Sequence, residues 1–136
     1  MDFLSALHIS ASGLAAERTR VDIATSNLAN AESTRGPDGG PYRRRDPVME
    51  SVAFESELSG AHSVAVTQVV EDQGPGRAVY MPSHPDADPR GFVTLPNVDP
   101  VQETVNLISA SRGYDANASA FETVKVMATK ALDIMR

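Results

Sequence analysis

The stretch SNLANAESTRGPDGGP, residues 26–41, is where a long helical periodicity gives way to a chain rich in glycine and proline. Upstream of it, Leu7, Leu14, Val21 and Leu28 recur every seven residues, which is the spacing of a stripe that packs lengthwise on another helix. We therefore predict a helix over residues 1–34 that ends within this stretch.

The far end of the chain repeats the pattern. Asp99 is a helix N-cap residue, Pro100 suits the first helical position, and Gln102 occupies the third. A seven-residue row follows, formed by Leu107, Tyr114, Phe121, Ala128 and Met135. We predict a helix over residues 99–136, with Gly113 as its weak point at a cost of about 1 kcal/mol relative to alanine.

Each helix also carries apolar residues on a second side. These second rows are Ile9, Ala16 and Ile23 on the first helix, and Ile108, Val126 and Ile134 on the second. The main rows predict a core between the two helices. The second rows pack either beneath the intervening segment or against other molecules, and the small size of that segment favours other molecules.

The intervening segment, residues 35–98, holds all but one of the nine prolines. Short apolar runs predict strands at 48–54, 63–72, 77–81 and 91–95. QGPGR (73–77) predicts a hairpin turn between two of them, and residues 81–91 predict an extended surface loop. The predicted fold class is α+β: two long terminal helices form a coiled-coil-like pair with the chain ends side by side, and a small β-rich, loop-rich insertion separates them.

The composition narrows the function classes. The 136 residues are 41% hydrophobic and 22% charged, which is typical of a globular domain. A net charge of -6 disfavours a nucleic-acid partner, and the absence of cysteine excludes disulfides and thiolate chemistry. No segment is apolar enough to predict a membrane span, and the first residues, MDFLSALHIS, do not resemble a cleavable secretory signal.

Catalytic and metal sites find little support in the sequence. No G-x-S-x-G or H-E-x-x-H motif occurs. His84, Asp86 and Asp88 are candidate ligands for a divalent cation, but the calcium-loop pattern fails at Arg90 and Asn97. We interpret this segment as a polar loop whose aspartates cap turns, and we predict no enzyme activity and no catalytic, cofactor-binding or metal residues.

Two segments carry a resemblance to a known family. The first helix ends in ATSNLANAEST (24–34), and the second half contains HPDAD (84–88), PNV (96–98) and ISASRGYDAN (108–117). The chain resembles the axial proteins of the bacterial flagellum, and most closely the proteins of the proximal rod. The likeness extends over essentially the whole chain, with departures at Gly113, where the family usually has alanine, and in the turn EDQGPGR (71–77).

This resemblance implies a structural subunit of the periplasmic drive shaft, exported by the flagellar type III apparatus without a cleaved signal. The terminal helices would polymerise into an inner tube that transmits torque and conducts export, with the β insertion facing outward. The resemblance implies assembly with further copies, with the rod proteins FlgB, FlgF and FlgG, and with the adaptor FliE. It implies neither a cofactor nor direct insertion into a membrane.

We expect helix-packing and assembly contacts along both helices, at Leu7, Ile9, Leu14, Val21, Ile23, Asn27, Leu28, Asn30, Leu107, Ile108, Tyr114, Asn117, Phe121, Val124, Ala128 and Leu132. Asn27 and Asn30 share a face. They belong either to a fraying helix end or, as we prefer, to a junction where their amides bind adjacent subunits. The alternative function is a two-helix adaptor or chaperone that binds a partner helix without polymerising.

Overall fold

The structure, a computed structural model, describes residues 3–36, 39–53 and 62–134. Two long helices, α1 (Phe3–Ala29) and α2 (Pro100–Ile134), pack against each other, and the chain between them forms two small antiparallel sheets. This is the predicted α+β class, with long terminal helices on either side of a small β insertion.

The start of α2 follows the predicted capping chemistry. Asp99 Oδ1 accepts a hydrogen bond from the Val101 N–H at 2.9 Å, which satisfies one of the free donors of the first turn. Gln102 instead donates its side-chain N–H to Asn106 Oδ1 at 3.3 Å. The helix then runs without a break through Gly113.

The end of α1 comes at Ala29, earlier than the predicted limit at residue 34. The backbone N–H and the side-chain N–H of Asn30 both donate to the Ser26 carbonyl, at 3.1 and 2.8 Å. Asn30 therefore satisfies a carbonyl at the end of the helix, in agreement with the helix-end interpretation, and its contact with adjacent subunits stays a prediction.

Four strands follow at the predicted places with ends shifted by a few residues: β1 (Arg45–Ala53), β2 (His62–Glu71), β3 (Arg77–Tyr80) and β4 (Phe92–Leu95). β1 pairs with β2, and β3 pairs with β4. The register of the first pair shifts between Val48 and Met49, where Thr67 on β2 is the additional residue of a bulge.

The predicted hairpin turn at residues 73–77 is wrong, because β2 and β3 belong to different sheets. This segment is instead the crossover between them. A Cβ atom at Gly76 would lie 2.5 Å from the Leu95 carbonyl oxygen, so glycine is needed where the crossover passes β4. The predicted loop at 81–91 joins β3 to β4 and is folded into successive turns rather than extended.

Small residues form the seam between the two helices. Ala16, Ala24 and Ala110 are fully buried. A Cβ atom at Gly13 would lie 2.9 Å from the Asn117 side chain, and one at Gly113 would lie 2.8 Å from the Glu17 side chain. Each glycine thus makes room for a polar side chain of the opposite helix, and the two helices approach closely.

These contacts also give the register of an antiparallel pair. The neighbouring pairs across the interface are Gly13 with Asn117, Glu17 with Gly113, and Asn27 with Glu103. Residue numbers rise along α1 while they fall along α2, so the helices are antiparallel. The same register places Phe3 opposite the region of Met127. The last residues of α2, 128–134, therefore extend about 10 Å beyond Phe3.

The expectation that the main apolar rows form the centre of the helix interface is wrong. Leu7, Leu14, Val21 and Leu28 are only half-buried, as are Leu107, Phe121 and Ala128, while Tyr114 is exposed and Met135 lies outside the described residues. The reason is the close approach allowed by the glycines and alanines of the seam, which displaces the larger side chains to the side of the interface.

The second rows differ between the helices. On α1, Ile23 lies in a cleft lined by residues of both α2 and β1, among them Glu103 and Pro47. The position of Ile23 agrees with packing beneath the β insertion, the alternative interpretation, whereas Ala16 belongs to the seam between the helices. On α2, Ile108, Val126 and Ile134 are exposed, so their contact with other molecules remains a prediction.

The largest buried apolar cluster lies at one end of the helix pair, where Ala31, Tyr42 and Val98 pack together. The chain exposes 9284 Å² in total. A compact monomer of its mass would expose roughly 6,900 Å². The molecule therefore has a large surface for its size.

Ala16→Leu should destabilise the fold by about 1–3 kcal/mol, because the seam has no room for a larger side chain. Urea unfolding of the purified protein measures the change. Ala15→Leu is the matched control, since Ala15 is exposed on the same helix and should tolerate leucine. Equal stability of the two variants would contradict a tight seam.

Candidate functional site

A buried polar cluster joins the two helices to the β insertion. Its centre is Asn27, which is 1% exposed. Its Nδ2 donates to the Arg45 carbonyl at 2.8 Å and to Glu103 Oε2 at 3.1 Å. Its Oδ1 accepts from the Tyr42 hydroxyl and from the Arg45 N–H, both at 2.9 Å. All four hydrogen-bonding positions of this amide are therefore used within the chain.

Glu103, also 1% exposed, supplies the charge of the cluster. Its Oε1 accepts from Arg44 Nε at 2.7 Å and from Asn106 Nδ2 at 3.4 Å. Arg44 also pairs with Asp46. Burial lowers the pKa of Arg44, but the bonds to Glu103 and Asp46 outweigh it and raise the pKa above its ordinary value. The buried carboxylate is thus matched by a permanent cation.

The cluster fixes how the β insertion leaves the helices. Asn27 on α1 binds Arg45, the first residue of β1, and Glu103 on α2 binds Arg44, the residue before it, so the entry to the strand is tied to both helices. Arg45 also bonds Glu71 at 3.3 Å, and Arg43 bonds Gln73 at 3.0 Å. The only basic run of the sequence is therefore occupied mainly by internal partners.

Sequence reasoning missed Tyr42, Arg44 and Glu103. The available signals were weak: three consecutive arginines beside the loop, and one glutamate in the first turn of α2, where the helix dipole alone would explain it. For Asn27, the expected bonds to adjacent subunits are wrong, because the amide is buried and bonded within its own chain.

The other expected interface positions fall into two groups. Those that are half-buried along the helix pair are Leu7, Ile9, Leu14, Val21, Ile23, Leu28, Asn30, Leu107, Asn117, Phe121, Val124 and Ala128. Those that are exposed on α2 are Ile108, Tyr114 and Leu132. The exposed group is directly available to neighbouring molecules.

The loop with His84, Asp86 and Asp88 has its carboxylates engaged by the protein. Thr34 Oγ1 and Arg35 Nε donate to Asp86 at 2.8 and 2.7 Å, and Asp88 Oδ1 accepts from two backbone N–H groups of its own loop. The turn-capping interpretation is right. Across the described ranges, no group of three potential metal-ligating side chains occurs.

Both helices are too polar for a membrane span; no described helix is long and apolar enough to cross a bilayer. The exposed apolar side chains of α2 are scattered among charged and small polar residues.

Comparison with known proteins agrees with the sequence resemblance. Residues 7–37 match the family model "Flagella basal body rod protein", and residues 90–134 match "Flagellar basal body rod FlgEFG protein C-terminal". The chain is 46% identical to the flagellar basal-body rod protein FlgC of Salmonella typhimurium, with 98% of each chain covered. It is 38% identical to FlgC of Bacillus subtilis, covering 98% of this chain and 99% of the relative. For FlgC of Borreliella burgdorferi the identity is 36%, covering 100% and 99%.

Asn27→Leu should destabilise the isolated chain by about 2–4 kcal/mol, because it removes the side-chain bonds to both backbone groups of Arg45 and to Glu103 Oε2 and one bond of the Tyr42 hydroxyl, all in a buried place. Chemical unfolding measures the loss. Asn30→Leu is the control and should cost less than about 1 kcal/mol, since Asn30 is half-buried with one side-chain bond in its own helix. If the free energy of unfolding of Asn27→Leu equalled that of the wild type, the cluster would not stabilise the fold.

The pH dependence of the Asp86 contact follows from its pKa. Bonds from Thr34 and then Arg35 hold the pKa of Asp86 below its ordinary value of 3.8. The carboxylate therefore stabilises the folded state above that pH, and the contribution is lost as the pH falls through the lower folded value.

Asp86→Asn should accordingly lower the melting temperature at neutral pH, and the gap from the wild type should narrow below about pH 4. Thermal unfolding at several pH values measures it. Asp133→Asn, an exposed aspartate on α2, should leave the melting temperature unchanged throughout. A gap that stays constant with pH would contradict the assigned ion pair.

Proposed function

The chain belongs to the FlgC family of flagellar basal-body rod proteins, and from this membership we propose that it polymerises as a subunit of the proximal rod. As a structural protein of the basal-body rod, it would use its terminal helices to build the inner wall of the periplasmic drive shaft. The β insertion would face outward, and the shaft would transmit torque and conduct export.

One observation carries this proposal: α2 exposes large apolar side chains along its length. Val101 is 73% exposed, Ile108 49% and Ile134 86%. A monomeric protein gains nothing from this exposure, whereas neighbouring helices in a polymer would bury these side chains and stabilise the assembly. The large total surface for the mass supports the same proposal.

The division of the chain follows from this arrangement. Residues 1–34 and 99–136 would form the helical domain of the inner tube, and residues 35–98 would form the outer β insertion. The bonds from Asn27 to Arg45 and from Glu103 to Arg44, at the entry to β1, support a stiff connection between the two, which suits a part that carries torque. The helical assembly would include further copies, the rod proteins FlgB, FlgF and FlgG, and the adaptor FliE.

The place of the protein would be the periplasmic part of the basal body, reached through the flagellar type III apparatus without a cleaved signal. The absence of cysteine is compatible with this route, since no disulfide has to form after export. No cofactor is needed for a purely structural role.

A non-polymerising adaptor or chaperone would also use a helix pair. The two functions differ in how the complex grows with concentration. A rod subunit mixed with its rod partners should form species of increasing length, whereas an adaptor should stop at a fixed mass. Light scattering across a concentration series distinguishes them, and a fixed small complex would contradict polymerisation.

Phe121→Asp should abolish rod assembly and swimming, because a charge would enter the half-buried apolar side of the helix pair. The variant protein should still be exported, since export does not need the assembled interface. Counting basal bodies by electron microscopy and swimming in soft agar measure the outcome in a strain without the wild-type gene. Thr67→Asp, on the exposed part of β2, is the control. Normal swimming with Phe121→Asp would count against the helical inner wall.

A further inference from the structure

Two glycines lie in the interior of the long helices, Gly13 in α1 and Gly113 in α2, although glycine is unfavourable there. A Cβ atom at Gly13 would lie 2.9 Å from each of three atoms of the Asn117 amide, Cγ, Oδ1 and Nδ2, so this amide lies flat over the glycine. A Cβ atom at Gly113 would lie 2.8 Å from Cδ and 2.9 Å from Oε1 of Glu17. Each glycine is therefore a socket for a polar side chain, and only a residue without Cβ leaves the space.

The carboxylate of Glu17 is held from two sides. Its side chain is 17% exposed, so most of it lies within the interface with α2. Arg20 Nη1 donates to both of its carboxylate oxygens, at 2.9 and 3.2 Å. A side chain that moved out of the socket at Gly113 would have to give up this geometry.

The two sockets and the buried cluster lie in one register. From the pair Gly13–Asn117 to the pair Glu17–Gly113, α1 advances four residues and α2 recedes four. From there to Asn27, α1 advances ten residues, and its partner on α2 lies ten residues back. The polar contacts in the middle of the helix pair therefore require the same overlap of the helices as the contact at its end.

Neighbouring registers do not offer this match. A slide of about one turn, four residues, in one direction places Glu17 opposite Asn117, so that two polar side chains compete for one space. The same slide in the other direction places Glu17 opposite Ser109 and the two glycines opposite each other, which leaves unfilled space at the centre of the interface. Of these three registers, only the observed one gives each polar side chain a glycine.

We propose that Glu17 and Asn117, seated in the sockets at Gly113 and Gly13, fix the register of the helix pair. The buried cluster around Asn27 holds one end of the pair, and the sockets hold its middle. This device belongs to the single chain and does not depend on polymerisation. It gives the two interior glycines a purpose, because the polar side chain that each one admits specifies how far α1 and α2 overlap.

A double-mutant cycle tests the socket at Gly113, because alanine normally stabilises a helix relative to glycine. Gly113→Ala should lower the melting temperature by about 2–4 °C, since the new Cβ displaces Glu17 from its seat. In a chain that already carries Glu17→Ala, the same substitution should raise the melting temperature, since the space is then free and only the helix preference remains. Thermal unfolding of the purified protein, followed by circular dichroism, measures both effects.

Asn117→Ala is the matched control, because it removes the polar side chain of the other socket. It should leave the effect of Gly113→Ala unchanged. If Gly113→Ala raises the melting temperature equally with and without Glu17→Ala, the carboxylate moves aside at no cost and the inference is wrong. If Gly113→Ala alone does not fold, the double variant with Glu17→Ala should still fold, and its failure to do so would also overturn the inference.

A distance measurement reports the register itself. The natural chain has no cysteine, so spin labels can be attached at Ala11→Cys on α1 and Thr123→Cys on α2, both exposed positions away from the Asn27 cluster. Pulsed electron paramagnetic resonance should give one narrow distance distribution. Filling both sockets with Gly13→Ala and Gly113→Ala should broaden it, because the helices then sample registers about 5 Å apart.

Ser119→Ala, an exposed substitution on the same helix, is the control and should leave the distribution narrow. A distribution that stays equally narrow, at the same distance, when both sockets are filled would show that the glycines do not fix the register. Both experiments use the isolated chain, so their failure would leave the proposed role in the rod untouched.

Discussion

The buried carboxylate of Glu103 is the constraint on which the rest of the structure depends. A charge removed from water is tolerated only when it is paired and fully hydrogen-bonded, and here the partners come from three separate parts of the chain. Asn27 comes from α1, Arg44 from the segment before β1, and Asn106 from α2 itself. A single buried group thus ties both helices and the entry to the β insertion together.

The seam between the helices imposes the second constraint. Gly13 lies beneath Asn117, which is four residues after Gly113, and Gly113 lies beneath Glu17, which is four residues after Gly13. The contact is therefore nearly symmetric about its centre. The close approach allows small residues to be buried and leaves the leucine rows beside the seam half-covered. A pair of helices built this way is stable through close packing and polar contacts, and its sides stay open for other helices.

Local chemistry made much of this fold predictable. Neighbouring residues determine the cap at Asp99, the positions of the strands and the turn-capping aspartates of the 81–91 loop. The sequence was therefore sufficient to predict them. Other features depend on residues far apart in the chain. These are the partners of Asn27, the side of α1 that meets α2 and the pairing of the strands. A seven-residue repeat indicates that a helix has an apolar side, but two glycines decide which side comes closest to its partner.

The unequal lengths of the two helices have a mechanical consequence. The last turns of α2 extend beyond the start of α1, so the helix pair has a stepped end instead of a flat one. When units with stepped ends are joined, the end of one unit overlaps the next, so every cross-section through the joint passes through a continuous helix. A twisting force would then have to break the packing of the overlapping ends as well as the boundary between the units.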